Sequence, residues 1–186
     1  MGFRISVGLI LFLIGLPSQA ALQTGEALFS GGGCGAAKSL KMRQQDANYV
    51  LQIPIHLTLK KEKKSSLLRK TCNFRLSLKP RANEKIVLRE YAQSVEAQVS
   101  RLAELQYTVN TTFVGQKTES LELQIKAISQ DIRRQEELKS RSLSLESKCG
   151  QPLMLAVNSS AFTKSAGEVS LKSADLKVSL RVVSCR

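Results

Sequence analysis

The sequence predicts an all-β protein, a jelly-roll-like β-sandwich held by two disulfides. Three observations predict this class. Apolar and polar residues alternate over several segments, which is typical of strands with one buried face. The four cysteines are spread along the chain instead of being clustered. The segments with the clearest alternation begin or end near cysteines, which indicates a sandwich stapled at its ends.

The chain opens with a segment of a different character. Residues 1–20 carry one charge, at Arg4, followed by an apolar run and then small residues. This order is typical of a secretory signal peptide, and a run of about ten apolar residues is shorter than the roughly 20 that span a bilayer. We therefore expect cleavage before Ala21, no transmembrane segment, and a single secreted domain over residues 21–186, extracellular or periplasmic.

The first clear strand follows a loop. The glycines of SGGGCG, which lead to Cys34, predict a flexible approach to that cysteine. Alternation then starts near Tyr49, with one apolar face formed by Ile53, Ile55, Leu57 and Leu59. Pro54 has no N–H for a ladder, so it predicts an edge position for this strand. The polar run KKEKKSS at residues 60–66 predicts an exposed loop.

The clearest strand surrounds Cys72. Its alternation predicts an inward face made of Cys72, Phe74, Leu76 and Leu78. Pro80 and Asn83 then supply a turn. A strand after Cys149 has a face made of Leu153, Leu155 and Val157. The last strand, which ends at Cys185, has a face made of Leu176, Val178, Leu180 and Val182.

The middle of the chain fits two interpretations. In residues 86–114 and 118–145, apolar residues recur both at helical spacing and in alternation. The pattern leaves helix and strand equally open, with Gly115 as a turn between the two segments. Charged residues are frequent from Glu119 to Arg141, which leaves room for a short helix at residues 119–141.

Cysteine spacing predicts how the chain is cross-linked. An even number of cysteines in an exported chain indicates disulfides. Cys34, Cys72, Cys149 and Cys185 lie far apart in sequence, and the single histidine is His56, so no zinc or other metal site is expected. The spacing favours Cys34 with Cys72 and Cys149 with Cys185. Each bridge would close a loop of about 40 residues and contribute about 4 kcal/mol.

The segments around the cysteines form an ordered series. They are the glycines before Cys34, RKTCNFRLSLKP, REYAQSVEAQV, SKCGQPLMLAVNSS, and a cysteine one residue from the end. This series, which spans nearly all of residues 21–186, resembles the secreted family called domain of unknown function 4360. The resemblance implies a compact β-sandwich, favours strands in the middle of the chain, and carries over no catalytic residue. The sequence departs from the family by its lack of tryptophan and its charged stretch at 119–141.

The sequence shows no catalytic constellation. It contains no G-x-S-x-G, H-E-x-x-H or phosphate-binding loop, so we expect no catalytic residue and no cofactor. His56 is expected on the solvent side of its strand. Paired carboxylates of the glycosidase kind are available among Asp46, Glu84, Glu90, Glu96 and Glu104. A hydrolase acting on cell-wall or glycan substrates is therefore the alternative function, although aromatic residues for sugar subsites are few.

Basic residues suggest a different role. The formal net charge is +13, and a cluster predicted near the Cys72 strand contains Lys60, Lys61, Lys63, Lys64, Arg69 and Lys70. Such a cluster attracts phosphate or sulfate groups. We therefore predict a non-catalytic secreted domain that binds an anionic glycan or an envelope surface. Scarce aromatics argue against sequence-specific nucleic-acid binding, and the sequence leaves the oligomeric state open.

Overall fold

The computed structural model describes residues 22–34, 39–61, 67–141, 145–164 and 167–185. The regular structure of these residues consists of strands without a helix. In chain order the strands are β1 (Gln23–Ser30), β2 (Lys41–Gln45), β3 (Asn48–Ile53), β4 (Thr58–Lys61), β5 (Leu67–Lys79), β6 (Glu84–Val99), β7 (Ala103–Phe113), β8 (Glu119–Ala127), β9 (Ile132–Arg141), β10 (Leu153–Lys164), β11 (Val169–Ser173) and β12 (Leu176–Ser184). The predicted all-β class is confirmed. The helix left open at residues 119–141 is not formed, because β8 and β9 occupy that stretch.

The strands form two antiparallel sheets. The five-stranded sheet has the order β1-β5-β10-β7-β8, and the seven-stranded sheet has the order β2-β3-β12-β6-β11-β4, with β9 also paired to β6. Because β9 occupies one edge of β6, β11 and β12 follow one another along its other edge. In the same way β4 pairs with β11 and β3 with β12. One apolar core fills the space between the sheets.

The apolar faces predicted from alternation lie in this core. Cys72, Phe74, Leu76 and Leu78 are all buried, and so are Leu176, Val178, Leu180 and Val182. In the ambiguous middle, the strand pattern forms: β7 buries every second residue along its length. This segment forms strands because β6 and β7 each have hydrogen-bonded neighbours on both edges, while their alternate residues face the opposite sheet.

Two gaps lie side by side in the seven-stranded sheet. Residues 54–57 separate β3 from β4, and Ala174 with Asp175 separates β11 from β12. Ile55 and Leu57 remain fully buried in the gap, so the alternation continues through a break in the ladder. The edge position expected from Pro54 is wrong, since β3 lies between β2 and β12. The break removes the need for the N–H that proline lacks.

Both predicted disulfides are present. Cys34 is bonded to Cys72 with a Cα–Cα distance of 4.7 Å, and Cys149 is bonded to Cys185 with a Cα–Cα distance of 6.1 Å. The glycines before Cys34 lie in a loop, and one of them has a steric role as well. Gly31 has a φ of 112°, and a Cβ there would lie 2.4 Å from the carbonyl oxygen of Thr71. Glycine therefore permits the close approach that brings Cys34 onto β5.

The predicted signal peptide, residues 1–20, lies outside the described residues. Within the described ranges, no helix has the length and hydropathy needed to cross a membrane.

Candidate functional site

The structure separates the basic residues that the sequence predicts as one anion-binding cluster. Lys60 is exposed in β4 on the outer face of the seven-stranded sheet, whereas Arg69 is exposed in β5 on the outer face of the other sheet. Lys70, next to Arg69, is half-buried. Lys63 and Lys64 lie outside the described residues. The described members of the cluster therefore do not share a surface.

Lys61 is buried, contrary to the exposed loop expected at residues 60–66. Its exposed fraction is 2%, and its Nζ donates a hydrogen bond to the carbonyl oxygen of Gly167 at 3.0 Å. Lys61 is the last residue of β4 and pairs with the buried Val169, so strand alternation turns it inward. Because a buried ammonium group must be hydrogen-bonded, Lys61 serves the structure of this end of the sheet.

A different set of cations shares the outer face of the seven-stranded sheet. We call it the cationic half-face, and it consists of Lys41 and Arg43 in β2, Lys60 in β4, Lys172 in β11, and Lys177 and Arg181 in β12. All of these side chains are exposed. Within the part of the chain that the structure describes, none of them takes part in an ion pair. One acidic residue, Glu96 of β6, stands opposite Lys172 in the ladder, and it is held in an ion pair with Arg133.

Strand pairing sets the spacing of the half-face. Lys41 pairs with Gln52, and Gln52 pairs with Lys177, so these residues form one cross-strand row. The Cα atoms of the two lysines are thus about 10 Å apart, which is two inter-strand spacings. Lys60 stands opposite Ser170 in the same manner. Neutral residues separate the cations, so their mutual repulsion is moderated by distance.

The remaining part of the same face is balanced by acidic residues. Nζ of Lys139 in β9 forms an ion pair with Oε1 of Glu90 in β6 at 2.9 Å. A guanidinium nitrogen of Arg133 forms another with Oε1 of Glu96 at 3.0 Å. Exposed pairs of this kind contribute little to stability, but they cancel the local field. The six residues of the cationic half-face lie outside these ion pairs.

The interruption of the sheet carries polar contacts of its own. His56 lies on the outer side, as predicted, and its Nε2 is hydrogen-bonded to Oδ1 of Asp175. On the inner side, Nε2 of Gln93 donates to the carbonyl oxygens of Ile55 at 3.1 Å and of Ala174 at 2.8 Å. These side-chain bonds replace ladder bonds that the two gaps remove. The role they indicate is structural.

A cleft of about 760 Å³ opens where β4, β6, β9 and β11 reach the same end of the sheet. Its lining includes Lys60, Ser100, Asp131, Arg133, Glu168 and Ser170. The carboxylate of Asp131 accepts a hydrogen bond from the backbone N–H of Arg101 at 2.8 Å, which holds the turn after β6. No group of three or more potential metal ligands occurs among the residues that the structure describes.

The carboxylates that the sequence offers for hydrolysis are dispersed. Glu90 and Glu96 are held in ion pairs on the outer face, and Glu104 belongs to the other sheet. The cleft instead contains Asp131 and Glu168, which sequence reasoning missed. They are distant in sequence and line the same cleft because β9 and β11 flank the same end of β6. No pattern within the sequence signals that arrangement.

No protein-family model matches the chain, and no curated protein matches it either. Among solved structures, TmCBM61 in complex with β-1,4-galactotriose is similar with a TM-score of 0.31 and 10% identity, over 85% of this chain and 88% of that chain. Carbohydrate-binding modules from the β-sandwich superfamily, with promiscuous specificity, give a TM-score of 0.30 at 11% identity over 90% and 59%. The family 11 module of a Clostridium thermocellum cellulase gives 0.23 at 11% over 94% and 95%. These TM-scores are too low for the ligands of those modules to bear on this chain.

Proposed function

We propose that this chain is a non-catalytic binding domain that holds an anionic glycan or an anionic envelope surface through the cationic half-face. The observation that carries the proposal is the concentration of exposed, unpaired cations over β2, β4, β11 and β12 within the described residues. Six exposed cations on one side of a sheet produce a positive field there, and this field attracts anionic groups.

Binding of this kind is electrostatic and weakly specific. Exposed Lys and Arg side chains meet carboxylate, sulfate or phosphate groups as point charges or forks, and the released counterions make the affinity fall with salt. The spacing of about 10 Å between Lys41 and Lys177 suits a polymer with several charges better than a single small anion. Of the cluster predicted from sequence, the proposal retains Lys60 and omits the buried Lys61.

The test is retention on immobilised polygalacturonate and on heparin as a function of salt. A variant with Lys41→Gln, Lys60→Gln, Lys172→Gln and Lys177→Gln should lose at least tenfold in affinity. The matched control removes the same charge from the outer face of the five-stranded sheet by substituting Arg75, Lys79, Lys126 and Lys164 with Gln; these are exposed there. It should stay within about twofold. Raising the salt from about 50 to 200 mM should release most of the wild-type protein.

Two results would contradict the proposal. Equal losses in the two variants would show that total charge, and not this face, determines retention. Retention that does not change with salt would rule out an electrostatic mechanism.

One observation favours a hydrolase as the second candidate function. Asp131 and Glu168 line the same cleft, and glycosidases use two carboxylates about 5–10 Å apart. The hydrogen bond from the backbone N–H of Arg101 to Asp131 argues against a hydrolase, because it engages that carboxylate in holding a turn. Hydrolysis of a neutral or acidic polysaccharide that is abolished in both Asp131→Asn and Glu168→Gln would establish the hydrolase. Absence of turnover in the wild type supports a binding domain.

Secretion, the single domain at residues 21–186 and membership of the domain of unknown function 4360 family also belong to the proposal. The disulfides Cys34–Cys72 and Cys149–Cys185 are compatible with an oxidising, extracytoplasmic compartment. N-terminal sequencing of the exported protein should begin at Ala21 or Leu22. An exported protein that retains Met1 would contradict the cleaved signal.

A further inference from the structure

One row of residues crosses the outer face of the five-stranded sheet and contains only amide and hydroxyl side chains. We call it the amide row; each strand contributes one member, in the spatial order Ser30, Asn73, Asn158, Asn110 and Ser120. Their chain neighbours in β5, β7 and β10 are buried, so the row faces solvent. Nδ2 of Asn158 donates to Oδ1 of Asn73, and Oγ of Ser120 donates to Oδ1 of Asn110 at 2.7 Å. The row is therefore an ordered array.

Folding alone does not explain the composition of the row. Asparagine is depleted in strands, and Asn73, Asn158 and Asn110 occupy the three central strands of the sheet. Threonine or valine would suit a strand better at each position. The next row is also neutral across the same strands, since it consists of Thr71, Ser160 and Thr108. Two adjacent rows across β5, β10 and β7 thus carry short, neutral side chains, although the chain has a net charge of +13.

We propose that the amide row binds one extended chain of a neutral, hydroxyl-rich polysaccharide. A primary amide has two N–H donors and an oxygen with two lone pairs, so the bonds within the row leave capacity for sugar hydroxyls. A ligand without charge suits these neutral rows, because no ion within them has to lose its hydration. The site goes beyond the proposed function, since it lies on the opposite sheet from the cationic half-face and takes a different class of ligand.

The spacing of the strands determines how the ligand lies. Members of the row are separated by about 4.8 Å, close to the length of one sugar residue in an extended β-linked chain. A polysaccharide placed along the row, perpendicular to the strands, therefore presents about one sugar to each strand. From Ser30 to Ser120 the row covers four such spacings, about 19 Å, which corresponds to four or five sugars.

The experiment measures the binding of neutral β-1,4-linked oligosaccharides of glucose, mannose and N-acetylglucosamine, from two to six units, by calorimetry and by NMR titration. The variant replaces Asn73, Asn110 and Asn158 with Thr, which preserves strand propensity. The control is Asn48→Thr, an exposed asparagine on the other sheet. We expect affinity for at least one sugar series to rise up to four or five units and then level off. The triple variant should lose at least tenfold, the control less than twofold.

The outcomes separate this inference from the proposed function. Binding through the amide row should be almost independent of salt, and the triple variant should keep its salt-dependent retention on polygalacturonate. No binding of any of the three sugar series at millimolar concentration, or full binding by a folded triple variant, would overturn the amide row as a site. Either result would leave the cationic half-face untouched, and loss of polyanion retention would leave the amide row untouched.

Discussion

The hydroxyl of Tyr107 in β7 donates a hydrogen bond to Oε1 of Gln93 in β6 at 2.6 Å, and this contact joins the two sheets through the core. The same hydroxyl lies 2.9 Å from Oγ of Ser159. Because Gln93 also donates to the carbonyl oxygens of Ile55 and Ala174, one buried amide connects the interruption in one sheet to the centre of the other. The arrangement keeps these buried polar groups hydrogen-bonded.

Replacing Tyr107 with Phe should destabilise the fold by about 1–3 kcal/mol, since Oε1 of Gln93 then loses a buried donor. Urea unfolding followed by circular dichroism measures the change. Thr111→Val is the matched control on the same strand. Oγ1 of Thr111 is buried and has no hydrogen-bond partner within the described residues, so its removal should be neutral or stabilising. Equal destabilisation by the two substitutions would contradict the importance of the network.

Alkaline pH should weaken the fold through Tyr107. Burial raises the pKa of its phenol above the ordinary 10.0, and hydrogen bonds with Ser159, Ser173 and Gln93 counteract that only in part. Above pH 10 the unfolded chain loses this proton while the folded chain keeps it, so stability falls as pH rises. The stability that the protonated phenol contributes is fully present below pH 10. The slope reaches at most about 1.4 kcal/mol per pH unit for one group. Tyr107→Phe should decline less steeply between pH 9 and pH 11, and identical slopes would contradict the assignment.

Lys60 and Lys61 should respond in opposite ways to the same substitution. Lys61→Gln should cost about 1–3 kcal/mol, because the carbonyl oxygen of Gly167 loses a buried donor. Lys60→Gln should change stability by less than about 0.5 kcal/mol, since its side chain is exposed. Thermal unfolding of both variants at one pH and salt concentration checks the contrast. A Lys61→Gln protein as stable as the wild type would contradict the buried position.

Each disulfide should contribute about 4 kcal/mol. The bridges close loops with sequence separations of 38 and 36, so the loss of unfolded-chain entropy is similar for both. The paired substitutions Cys34→Ala with Cys72→Ala, and Cys149→Ala with Cys185→Ala, should each lower the unfolding free energy by that amount. Peptide mapping without reductant identifies the pairs directly. A crossed pair, such as Cys34 with Cys185, would contradict the connectivity.

Local alternation predicted most of the strand faces, because burial of every second residue needs no knowledge of the partner strand. The faces around Cys72 and before Cys185 are examples. Alternation could not decide residues 86–145, since helix and strand patterns overlapped there and only ladder partners separate them. It also could not detect that Pro54 marks a gap inside a sheet. A gap is tolerated there because Gln93 satisfies the carbonyl of Ile55.

By itself, the sequence determined the clear strand faces and favoured the observed disulfide pairing, since periodicity and the order of the cysteines can be read without knowing which strands are neighbours. The tertiary structure alone decided which charges share a surface. Lys60 and Arg69 are close in sequence, but they lie on the outer faces of different sheets. Lys41 and Lys177 are distant in sequence, but they lie in one cross-strand row. The physical reason is that strand order and register bring distant residues to the same face of a sheet. Two successive residues of one strand, in contrast, lie on its opposite faces.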